Sequence, residues 1–352
     1  MTPTVRTLLL GTGLAALLAA AQPATGAELN ALVWCDHTDE ALIAPFEEAH
    51  GVTVNLKEYE GTGAALSIIE QSQPGDWDVL VVDGIDVPRV VAAGVLAPLP
   101  EDITPETIFP ELVMAENHVI DGATYAVSEK FGYNTISFNR TAVEAGALDD
   151  MASLWSGEAP GRIAIYDYYL PVIGMVAVGL GLDTAALSED DLPAIREALF
   201  ALKDRAESVG GVVASQTAIA TGEVDVLVGG GEWVTASLTG ELPNLDWMMP
   251  EQGAVRWSQS IGVFADSANK DLAVEFVRYI TSAEGQARLA TASCYWAMPA
   301  NAAAGENLSA DQKRALRWDE QAGYLARAQL YPAPDAALDR AMQDLWTEML
   351  QR

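Results

Sequence analysis

VRWSQSIGVFADSANKDLAVEFVRYITSAEGQARLATASCYWAMPAN, running from Val255 to Asn301, is the stretch whose reading decides the fold. It divides into one strand, one helix and a loop, with aromatics at both ends. The apolar run from Ser260 to Ala265 reads as the strand. Leu272, Ala273, Phe276, Val277 and Ile280 recur at helical spacing, which predicts a helix beginning near Asn269. Trp257 precedes the strand; Tyr295 and Trp296 follow the helix. So late a strand–helix unit is expected to return to a domain built from the N-terminal third. Its aromatics are then expected to line a ligand cleft.

Outward from that stretch, the N-terminal third alternates strands and helices. Leu29–Trp34 reads as a short buried strand, with Thr38 as candidate N-cap of a helix that Gly51 stops. Val52–Tyr59 is a second strand, and Gly61-Thr62-Gly63 opens a helix through Gln71. Trp77–Val82 is a third strand, followed by a helix that Pro88 and Gly94 bracket. A β-α-β-α-β-α run predicts a parallel α/β sheet. Ligands of such sheets lie beyond the carboxyl ends of the strands. Those ends carry Trp34-Cys35-Asp36-His37, Glu60-Gly61-Thr62 and Asp83-Gly84-Ile85. Asp121-Gly122 is a hairpin turn, and Tyr125–Arg140 is an extended segment able to cross into a second domain. There, Arg162–Tyr166 is a strand ending in Tyr166-Asp167-Tyr168-Tyr169, and Pro171 starts an apolar helix. Ser188 with Asp191 caps a helix predicted to reach Val209. A short helix from Ser215, a strand over Val224–Val228, a Gly229–Trp233 turn into another helix and a strand over Leu245–Met249 follow. Helices from Ser309 and Asp335 end the chain. No long linker separates the domains, so both are expected to be discontinuous.

At 352 residues the chain exceeds one typical core. Residues 1–27 read as a signal peptide: Arg6 is the positive end, Leu8–Leu10 and Leu14–Ala21 form the apolar region, and Thr25-Gly26-Ala27 is the cleavage site. The apolar run is short of the roughly 20 residues a membrane span needs. The expected product is an exported, periplasmic protein. Its formal net charge of −31 argues against nucleic acid as a partner, because phosphate binding needs Lys and Arg. The same charge fits solubility in a saline compartment or a field that attracts cations. Cys35 and Cys294 would meet in an oxidising compartment if the late stretch packs beside the first strand; sequence spacing does not settle whether they bridge. His37, His50 and His118 show no metal-binding spacing, and no H-E-x-x-H, G-x-S-x-G or P-loop occurs, so no metal, cofactor or catalytic group is expected.

The order of these parts resembles the extracellular solute-binding proteins of ABC importers, in their spermidine/putrescine-binding branch. Four passages carry the resemblance: Leu32-Val33-Trp34 with Gly51-Val52-Thr53-Val54, Asp78–Asp83 with Gly94–Leu99, Tyr125–Asn134 with Phe138-Asn139, and Thr281–Ala287 with Pro299-Ala300-Asn301. The resemblance implies an α/β, two-lobed periplasmic-binding-protein fold of type II-like organisation, with a ligand cleft between lobes joined by crossing strands. Lobe one would hold 28–132 plus 255–303, and lobe two 133–254 plus 304–352. It further implies a monomer that captures a small molecule and delivers it to a membrane permease.

The resemblance places Trp34, Trp257, and Tyr295 or Trp296 at ligand-facing aromatic positions, and His37 where polyamine binders carry tyrosine. Aromatic faces hold organic cations at about 0.5–2 kcal/mol each. The chain departs from that branch at its acids. The expected lobe-two acids fall near Tyr168 and Pro171, the acid after the return-strand tryptophan is Gln259, and the central lobe-two aromatic is displaced to Trp233. Asp83 stands where serine is usual, with Ile85 beside it; Asp83 is either an ammonium anchor or a helix cap. Lys130 meets either a ligand carboxylate or a local acid, and Gly61-Thr62-Gly63 is either an anion-binding turn or an ordinary cap. The expected ligand is a small organic amine or zwitterion. A plain polyamine is the alternative ligand, and a hydrolase or lyase on a two-lobed fold the alternative function.

Overall fold

A computed structural model of the chain describes residues 27–352; the signal-peptide expectation for 1–26 lies outside the described residues. Among the described residues thirteen strands form the framework: β1 (Glu28–Val33), β2 (Thr53–Glu58), β3 (Val79–Asp83), β4 (Val119–Ile120), β5 (Ala123–Thr124), β6 (Val127–Asn139), β7 (Ile163–Tyr166), β8 (Ala206–Gly210), β9 (Val226–Gly230), β10 (Leu245–Met248), β11 (Ala254–Val263), β12 (Met298–Pro299) and β13 (Ala328–Leu330). One sheet runs β2-β1-β3-β11-β6-β9-β7-β8. β4 and β5 make the Asp121-Gly122 hairpin.

Both outer parts of the sheet are parallel: β1 pairs with β2 and β3, and β7 with β8 and β9. Parallel strands are covered by helices on both faces and so read as unbroken apolar runs. Val79-Leu80-Val81-Val82-Asp83 is buried at every position. The middle is different. β6 and β11 are antiparallel to each other, from Val255–Asn134 to Ile261–Val127, and run through both lobes. The organising strand is therefore longer than the run Ser260–Ala265 and begins at Ala254. Ser258 and Gln259 interrupt its apolar pattern, Ser258 donating to Met114 Sδ at 3.1 Å and Gln259 to Asp36 at 3.1 Å.

Lobe one packs Leu29, Val33, Phe46 and Val81 against Phe276, Val277 and Ile280 of the helix Lys270–Thr281. The late stretch thus returns to the N-terminal sheet. Lobe two packs Ile163, Val226 and Val228 against the helix Tyr169–Gly179, with Met342 and Met349 of the C-terminal helix Ala336–Leu350 behind it. Residues Ala304, Leu308, Leu316 and Leu325 lie across the crossing strands, against Phe131, Trp247 and Met298.

Three local readings change. Asp39, not Thr38, caps the first helix, its carboxylate accepting from the Ala41 N–H at 2.9 Å. The helix after the Ser188–Asp191 capping box spans Leu192–Lys203 and does not reach Val209; the chain turns at Asp204 and Ala206–Gly210 pairs as β8. The apolar helix starts at Tyr169, two residues before Pro171, which occupies its first turn where a missing N–H costs nothing. Among the described residues, no helix is long and apolar enough to cross a membrane.

Candidate functional site

The carboxyl ends of β1, β2 and β3 open onto a cavity of about 440 Å³ lined from both lobes. Parallel strands all present their carboxyl ends on one side, which is why Trp34, Glu60 and Asp83 converge there. Trp257 comes from β11, held close to β6 by Gly132, its partner in the ladder. A Cβ on Gly132 would stand 2.5 Å from the Trp257 ring and 1.8 Å from Glu232 Oε1. Tyr295 and Cys294 arrive on the loop after the helix Ala283–Ala290. That loop is fastened to lobe one by a Cys35–Cys294 disulfide with Cα atoms 5.9 Å apart.

Lobe two supplies Asn134, Tyr166, Tyr168, Trp233, Tyr331 and the rim valines Val212 and Val213. Tyr168 caps the helix Tyr169–Gly179, so its neighbour Tyr169 points away and donates to Asp339 at 2.6 Å. With Tyr59, eight aromatic side chains line the cavity. They form a linked wall: Trp34 lies 6.2 Å from Trp257, Trp257 stands edge-on to Tyr295 at 6.0 Å, and Tyr168 edge-on to Tyr331 at 6.2 Å. The charged residues of the lining are Glu58, Glu60 and Asp83; no Lys, Arg or His belongs to it among the described residues.

Asp83 is only 6 % exposed. One carboxylate oxygen accepts from the Ile85 N–H at 3.2 Å, so the helix-cap role is present while the residue also lines the cavity. Among the described residues no Lys or Arg nitrogen lies within 4 Å of it. Burial, and then the nearby Asp86 carboxylate, push its pKa well above the usual range. Burial and Asp83 likewise raise Tyr168, and burial, Asp83 and Tyr168 raise Tyr331, so both hydroxyls remain proton donors. Trp34 Nε1 and Trp233 Nε1 are buried without an acceptor.

Five expected site residues stand outside the cavity wall. His37, Lys130 and Gln259 are fully buried behind it. Lys130 Nζ donates to Asp36 and to the carbonyls of Leu289 and Tyr295, each at 2.9 Å, and sits 4.1 Å over the Tyr295 ring. Its partner is Asp36 rather than a ligand carboxylate or the adjacent Glu129. Gln259 donates to Asp36 at 3.1 Å and accepts from the Tyr295 hydroxyl at 3.3 Å. His37 lies between Asp36 and Glu129, at 3.1 and 3.2 Å. Trp296 packs toward Phe131 and Met298, and Ile85 against the lobe-two cluster. Asp167 accepts from Trp346 Nε1 at 3.0 Å.

Tyr59, Asn134 and Tyr331 enter the wall without having been expected. Asn134 carried a usable signal, an amide inside a long crossing strand; its Nδ2 donates to the Gly229 carbonyl at 2.8 Å and its Oδ1 accepts from Tyr331. Tyr331 carried none, because the C-terminal segment that brings it has no pattern linking it to the cleft. Two hydrogen bonds cross between lobes beside the cavity: Tyr166 to Glu60 at 3.4 Å, and Gln216 Nε2 to the Cys294 carbonyl at 3.3 Å.

Comparison with known proteins agrees with this geometry. The chain belongs to the bacterial extracellular solute-binding protein family, which matches residues 41–315. It is 21 % identical over 269 residues to spermidine/putrescine-binding periplasmic protein 1 of Haemophilus influenzae, covering 74 % of this chain and 72 % of that protein. A spermidine/putrescine ABC transporter substrate-binding protein from Streptococcus pneumoniae has the same fold, with a TM-score of 0.76 at 19 % identity over 93 % of this chain and 99 % of that one. A periplasmic binding protein from A. tumefaciens B6, in complex with glucopine, superposes with a TM-score of 0.70 at 19 % identity, covering 92 % and 99 %.

Proposed function

We propose that this protein is the periplasmic substrate-binding component of an ABC importer, capturing a small organic amine or zwitterion and presenting it, as a monomer, to a membrane permease. The observation that carries the ligand class is the cavity wall: eight aromatics and three carboxylates, with no basic side chain among the described residues. Aromatic faces and carboxylates both favour cations, and neither favours an anion. A cationic nitrogen entering the cavity meets Asp83, the buried acid of its lining, which has no Lys or Arg within 4 Å among the described residues. The oxygen of a zwitterion has the indoles of Trp34 and Trp233, lining residues whose N–H groups lack an acceptor, as its candidate donors. The family match and the curated relatives, which are named as spermidine/putrescine-binding periplasmic proteins, support the import role and its compartment.

Ligand binding, rather than turnover, is the expected activity. Thermal-shift screening of the purified protein tests it. A ligand at 100 times its Kd adds about 2.7 kcal/mol of stability. Amines and zwitterions should raise the midpoint and remain chemically unchanged by NMR. Trp34→Ala and Trp257→Ala should each clearly reduce the shift at the same ligand concentration, each face being worth about 0.5–2 kcal/mol before lost packing. Stabilisation by simple anions alone would refute the ligand class.

A further inference from the structure

The acids of the cavity are unevenly placed. All three come from lobe one; the lobe-two wall is Asn134, tyrosines, Trp233 and two valines. Glu58 and Glu60 are exposed at the rim, where water screens them, and Glu60 already accepts from Tyr166. Two other acids near the cavity are engaged: Asp86 accepts from Thr62, and Asp167 from Trp346. Asp83 is the one buried carboxylate in the lining, and its surroundings leave it without a basic partner.

We propose that the cavity selects a solute with a single cationic nitrogen and an apolar, flat or aliphatic body, the nitrogen resting on Asp83 and the body between Trp34, Trp257, Tyr168 and Tyr331. This rests on the amine-binding reading above and narrows it. A second ammonium group reaching the lobe-two wall, such as the far end of a linear diamine, would meet rings, Asn134 and Val212 there and no buried carboxylate, since Glu58 and Glu60 stand in water at the lobe-one rim. Desolvating that charge costs more than an aromatic face returns. An apolar body loses nothing in the same place and gains by leaving water.

The same geometry couples binding to a proton. Asp83 faces Asp86 on its own turn, Arg256 of β11 at longer range, and the Tyr168 and Tyr331 hydroxyls from the other lobe. Burial and Asp86 favour its neutral form, while a bound ammonium favours the carboxylate. Where Asp83 is protonated in the free protein, an ammonium resting on it displaces that proton to solvent, and affinity falls as pH is lowered.

Isothermal titration calorimetry of the purified protein with phenethylamine, putrescine, spermidine and 3-phenylpropionate is the test. Phenethylamine should bind at least tenfold more tightly than either polyamine, with proton release seen as different heats in phosphate and Tris at one pH. Asp83→Asn should weaken it at least tenfold. Tyr168→Asp, which adds an acid to the lobe-two wall, should improve putrescine relative to phenethylamine at least tenfold. Putrescine or spermidine binding as tightly as phenethylamine would overturn the single-cation selection and leave the amine reading standing. Binding of 3-phenylpropionate with no amine bound would overturn both. Silence from all four probes, or an unshifted preference in Tyr168→Asp, would also overturn the selection.

Discussion

Asp36 and Asp83 lie at the carboxyl ends of neighbouring parallel strands, Asp36 just after β1 and Asp83 closing β3, and both are buried, yet they sit in opposite electrostatic surroundings. Burial alone would raise Asp36, but Lys130 and His37 outweigh it and hold the carboxyl well below its usual range. Burial also works against the His37 imidazolium; Glu129 and Asp36 overcome it and raise the pKa to about 9. Two acids and two bases thus close on one another behind Tyr295. Asp83 has no such company. A buried charge that the protein neutralises itself builds the wall, and a buried charge left open is what a ligand can complete.

Removing one member of the closed group should do the most damage. Lys130→Met removes the ammonium from Asp36 Oδ2 and from the Leu289 and Tyr295 carbonyls, leaving Asp36 only its contacts with His37 and Gln259, and breaking a buried pair in this way costs about 3–5 kcal/mol. Urea denaturation at neutral pH measures it. A loss under about 1 kcal/mol would mean that the group is not closed by Lys130, and the comparison would fail.

Stability against pH is the next lever. His37 titrates near 6.5 when unfolded and is raised to about 9 in the fold. Its contribution is fully present below the unfolded value and is lost as pH rises through about 9. One unit corresponds to about 1.4 kcal/mol, so a decline on the order of 2–3 kcal/mol is expected between pH 6.5 and 9.5. His37→Gln should flatten that slope. A wild-type profile already flat there would show that Asp36 and Glu129 do not hold the imidazolium.

Asp83→Asn should move stability the other way. The asparagine keeps an acceptor for the Ile85 N–H and removes a carboxylate that burial disfavours. A raised folded pKa means that wild-type stability falls as pH climbs through it. The ligand-free variant should therefore be about 1 kcal/mol more stable, increasingly so at higher pH. A destabilised variant would reassign Asp83 to the closed kind of acid.

The two regions also differ in how far the sequence discloses them. The strand–helix alternation, the helix stop at Gly51, the Ser188 cap, the last helix from Asp335 and the return of residues 255–301 are patterns that survive into the fold. So do Trp34 and Asp83, which sit at strand ends, and Trp257, which proves to lie inside β11. The partner of Lys130 was not legible, because Asp36 is 94 positions away and only the packed sheet brings them together. Gln259 read as a cavity residue because it lies two after Trp257, but Asp36 and the Tyr295 hydroxyl, brought together only by the packed sheet and loop, engage its amide behind the wall. Helix propensity in 188–209 concealed β8, since pairing with β7 overrides local preference.

The smallest expected effect asks whether the closed group only stabilises or also shapes the cavity. Lys130 and the disulfide hold the loop bearing Cys294 and Tyr295 to lobe one, and Gln216 of lobe two reaches that loop through the Cys294 carbonyl while also donating to the Trp233 carbonyl at 3.2 Å. Gln216→Ala removes the bridge without touching either buried acid. One hydrogen bond is worth about 0.5–1.5 kcal/mol, so affinity for a bound amine should fall roughly two- to tenfold. Stability of the ligand-free chain should change by no more than about 0.5 kcal/mol, as for an ordinary substitution near the surface. If affinity holds and stability drops instead, the loop belongs to the packing of lobe one alone, and the wall that Lys130 and Gln259 support contributes nothing to closing the lobes over a ligand.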